Sequence, residues 1–227
     1  MINILISLKN NPMKFTFKSE IIPILIILIS IALGFYFYSV FPDTVPMHWG
    51  INGEVDRWGS KLEGAWLMPI IAIGMYILFR FLPLIDPKKE KYQQFSRIYF
   101  IFRLIILLMM LAIYLVASFN TLGYNVKVEI WIPVAVGVLF LIMGNYMGKL
   151  KPNWFMGIRT PWTLSNDEVW NKTHRLGGKL FIIFGILMII TPLLPYSNIF
   201  ANLLIPVIIV SLIPIIYSYI LFRKVKK

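Results

Sequence analysis

A chain of 227 residues that is 59% hydrophobic and only 14% charged, with a mean hydropathy of +0.77, carries more apolar surface than a soluble core of its size can bury. It reads as a polytopic membrane protein. The absence of cysteine excludes disulfides, thiolate metal sites, cysteine nucleophiles and cysteine lipidation. With 22 Lys and Arg against 10 Asp and Glu, the net charge of +12 poses the question of which membrane face holds the excess, and it does not point to direct nucleic-acid binding.

Crossing a bilayer takes about 20 apolar residues, and residues 21–41 supply the first such run without a charge. No small-residue cleavage site follows it, and Phe35-Tyr36-Phe37-Tyr38 suits an aromatic belt, so it reads as a retained helix. Further spans are expected at 65–84, 98–119 and 130–147. Arg80 would snorkel from the second, and Arg103 would reach the interface or a partner on span two or four. Residues 180–222 are uncharged, but Thr191-Pro192 and Pro195-Tyr196-Ser197-Asn198 supply turn chemistry that divides them into two helices.

The expected fold class is thus an all-α integral membrane protein of six transmembrane helices in one domain. An N-terminal segment 1–20 and a basic tail 223–227 flank helical hairpins at 21–84, 98–147 and 179–222. Alternate loops place nineteen Lys and Arg on one side and only Arg57, Lys61 and Lys127 on the other, whereas the acidic residues divide evenly. Both termini are therefore expected to be cytoplasmic in a bacterial cell membrane. No heptad, low-complexity tract or internal repeat stands out.

Two loops are too particular to be connectors. In the outer loop, 42–62, Val45, Met47, Trp49 and Ile51 alternate with other residues before Asn52-Gly53, a dipeptide that favours a type I′ turn, so a small hairpin with Glu54 and Asp56 at its tip is expected. His48, Glu54 and Asp56 suit zinc or manganese by ligand type, but their spacing matches no metal motif, and Arg57 and Lys61 offer the carboxylates salt-bridge partners. The loop reads either as an ordered cap with Trp49 and Trp58 at headgroup level or as a ligand-binding surface. Neither a metal nor a cofactor is assigned.

The inner loop, 148–178, carries the densest polar chemistry. Pro152-Asn153 and Thr160-Pro161 break helix, Gly157 admits an unusual backbone conformation, and Ser165 with Glu168 forms a capping box that starts a helix near Asn166. On that helix Trp170 and His174 share a face, and Lys172 and Arg175 form a basic edge. His174 near Asp167 and Glu168 allows a hydrolase sketch, but a histidine that ties the loop to the bundle is the commoner use. Arg159, between Trp154 and Trp162, can anchor a carboxylate, a lipid headgroup or helix carbonyls. No serine elbow, paired-histidine zinc sequence or phosphate loop is present.

Asn145-x-x-Gly148-Lys149, then Pro152-Asn153-x-Phe155-x-Gly157-Ile158-Arg159-Thr160-Pro161-Trp162-Thr163-Leu164 and Val169-Trp170-x-Lys172-Thr173-His174-Arg175, resemble the SdpI family of bacterial membrane proteins. Pro46-x-His48-Trp49 and Gly53-Glu54-x-Asp56-x-Trp58-Gly59-x-Lys61 resemble the membrane domain of unknown function that often precedes it. The resemblance implies a non-enzymatic immunity role against a secreted antimicrobial peptide toxin, with capture of a small cytoplasmic repressor at the membrane. The two loops and their flanks supply the ligand- or partner-binding candidates: His48, Trp49, Glu54, Asp56 and Trp58 outside, and Asn145, Asn153, Gly157, Arg159, Thr160, Pro161, Trp162, Trp170, His174 and Arg175 inside. The alternative is a transporter or exporter of a small or peptidic substrate, although Glu20, Glu63 and Glu129 are expected at span edges rather than in hydrocarbon. Membrane lipid is a partner in either case.

Overall fold

The computed structural model describes residues 13–50, 52–194 and 199–225, with backbone alone for 199–203. Six of its helices are long and apolar enough to cross a membrane. The first, α1 (Phe17–Val40), starts at a capping box in which Thr16 and Ser19 each satisfy the other's backbone N–H. Two strands follow, β1 (Thr44–Trp49) and β2 (Val55–Ser60), paired antiparallel with Thr44 opposite Ser60 and Trp49 opposite Val55. Ser60 ends β2 and also caps α2 (Lys61–Ile85), exchanging bonds with Glu63 of 2.7 and 3.2 Å. No linker intervenes, so the helix cap fixes how the hairpin sits on the bundle.

The hairpin turn differs from the expected type I′. That turn needs positive φ at both central residues, yet Gly53 (φ 81°) adopts it and no described non-glycine residue does. The Gly50 N–H instead donates to the Glu54 carbonyl at 2.8 Å, closing a wider loop. Ile51 lies outside the described residues, as do residues 195–198, where the last turn is expected.

A 3₁₀ segment, Lys89–Phe95, which the sequence reading treats as plain loop, leads into α3 (Ser96–Thr121), and α4 (Val128–Met147) returns. After the 148–160 loop comes a short helix, α5 (Pro161–Ser165), with Pro161 in its first turn and Thr160 capping it. Thr160-Pro161 thus starts a helix rather than only breaking one. α6 (Asp167–Ile190) follows with Asn166 as its cap, the Asn166 carboxamide accepting from the N–H groups of Glu168 and Val169. The cap sits one residue beyond the expected Ser165, whose hydroxyl donates back to Trp162. α6 ends in a 3₁₀ turn over Thr191–Leu193, and α7 (Ile199–Val225) closes the fold.

α4 and α6 lie back to back on glycine. A Cβ on Gly144 would stand 2.6 Å from the Gly178 carbonyl, and one on Gly137 would stand 2.6 Å from the Gly185 carbonyl. The reciprocal contacts are as close, so this antiparallel pair approaches backbone to backbone, as small residues permit in lipid where burial of apolar surface no longer drives association. Elsewhere the exposed apolar side chains, such as Leu25 and Ile29 on α1 and Ile208 and Ile216 on α7, form the surface a bilayer covers.

Three buried clusters stack along the bundle. One lies beneath the hairpin, where Val45 packs on Phe37, Phe41, Ala65 and Tyr114. A middle one holds Ile26, Ala72, Leu107 and Met110. The largest, at the end of the 148–160 loop, includes Tyr92, Phe95, Tyr99, Phe102, Leu150 and Trp170.

Candidate functional site

At the motif end, loop 148–160 is tied into the bundle by side chains that satisfy one another. Asn153 is fully buried: its carboxamide oxygen accepts from the N–H groups of Phe155 and Met156 at 2.9 and 2.6 Å, and its amide donates to the carbonyls of Lys151 and Met156. The Trp170 indole N–H donates to the Leu150 carbonyl at 2.9 Å, and its ring stacks on His174 with centroids 4.0 Å apart. Both His174 nitrogens are used. The Ile158 N–H donates to Nε2 at 2.9 Å, which requires that nitrogen to be unprotonated, so the neutral ring donates from Nδ1 to the Trp170 carbonyl at 2.8 Å. A buried ring committed in this way is a clamp, and its geometry does not suit the acid–base role of the hydrolase sketch.

Gly157 is needed twice over. Its φ is 105°, and any Cβ there would overlap His174 Nε2. Thr160 exchanges bonds with Thr163 and lies 3.0 Å from Ser218 Oγ, which ties the loop to α7. Pro161 opens α5, and half-buried Trp162 packs on Tyr219 with centroids 5.0 Å apart. Other inner candidates have exposed side chains: Asn145 on α4, Pro161, Arg175 packed over Gly148, and Arg159, which donates to the Trp154 carbonyl at 2.8 Å.

Residues outside the candidate set complete this end. Asp86 is buried and accepts from Tyr92 Oη at 2.8 Å and from the Trp154 and Lys88 N–H groups, joining the second loop to the motif loop. Nothing around Asp86-Pro87 in the sequence signals that role. Glu20 lies in the first turn of α1, at the span edge expected of it, and is buried there. It pairs with Arg103 at 2.7 Å and accepts from Tyr76 Oη at 2.9 Å, while the guanidinium lies among the rings of Phe15, Tyr76 and Phe100. The ion-pair partner of Arg103 is therefore on α1, while span two contributes the Tyr76 ring. Arg80 lies over Phe15 with its guanidinium 4.1 Å from the ring centre.

The hairpin end is built differently. His48 Nδ1 and Asp56 are 2.6 Å apart but both are largely exposed, and Glu54 turns to the Asn52 amide at 2.7 Å. The carboxylates do not take the expected partners: Asp56 faces His48, and Lys61 lies over Tyr38. With Glu54 turned away from His48 and Asp56, no group of three metal-ligating side chains forms among the described residues. Trp58 is 60% exposed, whereas Trp49 is half-buried and donates to Asn120 of α3 at 3.3 Å.

Beneath Trp49 lies an apolar cavity of about 370 Å³, walled by Met47, Ile113, Ala117, Ile132 and Pro133, with His48 and Glu129 among its polar lining. Gly53 rests so closely on the Glu129 carboxylate that a Cβ there would stand 2.5 Å from it. No ion pair to Glu129 forms among the described residues. Most of its walls come from the apolar spans, where no single residue is distinctive in the sequence.

Residues 149–218 match the SdpI/YfhL protein family, and residues 25–73 match a domain of unknown function. Over 207 residues the chain is 25% identical to the immunity protein SdpI of Bacillus subtilis strain 168, covering 91% of this chain and 97% of that protein. No solved structure matches it.

Proposed function

We propose that this chain, a multi-pass bacterial membrane protein whose residues 149–218 belong to the SdpI/YfhL family, gives immunity to a secreted antimicrobial peptide toxin by capturing it at the hairpin end. The observation that carries the reading is the apolar cavity beneath the hairpin, with the Glu129 carboxylate in its lining. Asp43, Glu54, Asp56, Glu63 and Glu129 outnumber Arg57, Lys61 and Lys127 at this end, a combination suited to a cationic amphipathic peptide. The basic excess at the other end supports placing the hairpin outside and both termini in the cytoplasm.

Purified protein in lipid nanodiscs should bind a sporulation-delay toxin peptide or a co-encoded peptide saturably, and Ala117→Phe, which fills the cavity, should abolish binding. Failure of the wild type to bind any such peptide would sink direct capture. On the cytoplasmic face of this reading, exposed Lys149, Lys151 and Arg175 offer a basic surface for a small repressor. Recruitment of a co-encoded repressor to vesicles should then require toxin; recruitment without it would contradict signalling.

The buried Glu20–Arg103–Tyr76 group favours one second reading, a transporter or exporter, since charges kept inside a bundle commonly mark ion or substrate paths. Export should raise resistance only while a proton gradient stands, whereas capture should survive its collapse, and substrate accumulation measured with and without a protonophore separates the two.

A further inference from the structure

α4, α6 and α7 enclose a second groove, of about 590 Å³. Its walls are apolar along most of their length: Phe140 from α4, Phe181, Phe184 and Met188 from α6, Val207 and Ile215 from α7. From Phe181 to Met188 it runs about 10 Å along the helix axis at the usual rise, from the motif end toward the middle of the span. Its polar end is Arg159 and Thr160.

Arg159 is exposed, and its guanidinium has one described acceptor, the Trp154 carbonyl. No carboxylate among the described residues lies within ion-pair distance of it. The site around it is braced: Thr160 meets Ser218 at 3.0 Å, and Trp162 packs on Tyr219, an aromatic pair suited to headgroup level. The buried clamps at Asn153 and His174 set the loop that carries Arg159, so the cation is presented from a fixed backbone.

We propose that this groove is a binding site for an anionic phospholipid, with the phosphate on Arg159 and an acyl chain laid between α4, α6 and α7. The profile of the groove, cationic at the membrane edge and apolar along the span, is complementary to that of the lipid. A guanidinium offers a phosphate paired donors in a fixed plane, which a net-negative headgroup leaves uncompensated by any cation of its own. A water-soluble anion would gain nothing from the apolar walls, and a neutral lipid would gain little from Arg159.

The full chain, purified in mild detergent and mixed with equal amounts of phosphatidylglycerol and phosphatidylcholine, should retain phosphatidylglycerol selectively by native mass spectrometry. Arg159→Gln should cut the ratio of the two retained lipids about tenfold, the loss of one charged hydrogen-bonding partner. Ser211→Trp, which fills the apolar stretch from α7, should cut retention of both. Equal retention by the wild type, or an unchanged ratio in Arg159→Gln, would overturn the site. Unchanged retention in Ser211→Trp would show a headgroup held without the groove and would overturn it too, and this variant decides alone if Arg159→Gln gives no folded protein. Saturable seating of a toxin peptide in the groove with no lipid retained would assign it to the peptide and equally overturn it.

Discussion

At the motif end Asp86, Asn153 and His174 are buried and spend their hydrogen bonds on the chain itself, whereas at the hairpin end His48, Glu54 and Asp56 sit exposed and pair within one loop. The motif end is richer in distinctive residues and poorer in free chemistry. A buried polar group must find a partner or cost stability, so a dense run of particular residues can be the signature of a lock as readily as of a binding site. The hairpin end has fewer such residues, but it covers an apolar cavity lined by His48 and by Glu129, whose carboxylate has no ion-pair partner among the described residues.

If the motif end is a lock, substitutions there should unfold the protein while substitutions at the hairpin should not. Arg103→Leu should have the largest effect, about 3–5 kcal/mol, because it strands the Glu20 carboxylate in a dry bundle. Adding Glu20→Gln should recover part of that loss in thermal unfolding of detergent-solubilised protein. A wild-type melting curve for Arg103→Leu alone would contradict the buried pair. Gly178→Val should follow at about 1–3 kcal/mol by forcing α4 from α6, while Gly74→Ala, which meets nothing within 4 Å, should be neutral or gain up to about 1 kcal/mol.

His174→Ala, leaving the Ile158 N–H without its acceptor, should cost about 1–3 kcal/mol and increase hydrogen exchange across 153–160. Asp56→Asn breaks only an exposed pair, so its cost should stay below about 1 kcal/mol. A cost as large as that of His174→Ala would erase the contrast between the two ends. Orientation can be read from the same positions: in a chain without native cysteine, Glu54→Cys should react with an impermeant maleimide on intact cells and Lys151→Cys should not.

The spans were legible because length and apolarity suffice to define them: α3 and α4 begin within two residues of where the sequence places them. The hairpin was legible from alternation and Asn52-Gly53, though its turn type was not, since Asn52 keeps a negative φ. The seven-residue glycine spacing of 137 with 144, and of 178 with 185, was a readable signal of the α4–α6 pairing that a search for apolar heptads passes over. Asp86, Glu20 and the cavity under Trp49 were not readable, because each depends on which spans become neighbours. Among the motif residues, Asn153 and His174 are buried and bond to their own loop, and sequence alone does not separate a side chain that holds its own loop from one that holds a ligand.

The central claim is that protection acts through the cavity at the hairpin end. It is tested most directly in a Gram-positive strain deleted for its own immunity genes, challenged with a sporulation-delay toxin while expressing wild type or Ala117→Phe at matched membrane abundance. Survival with the wild type that is lost with Ala117→Phe is the predicted result; equal survival with both would contradict the account.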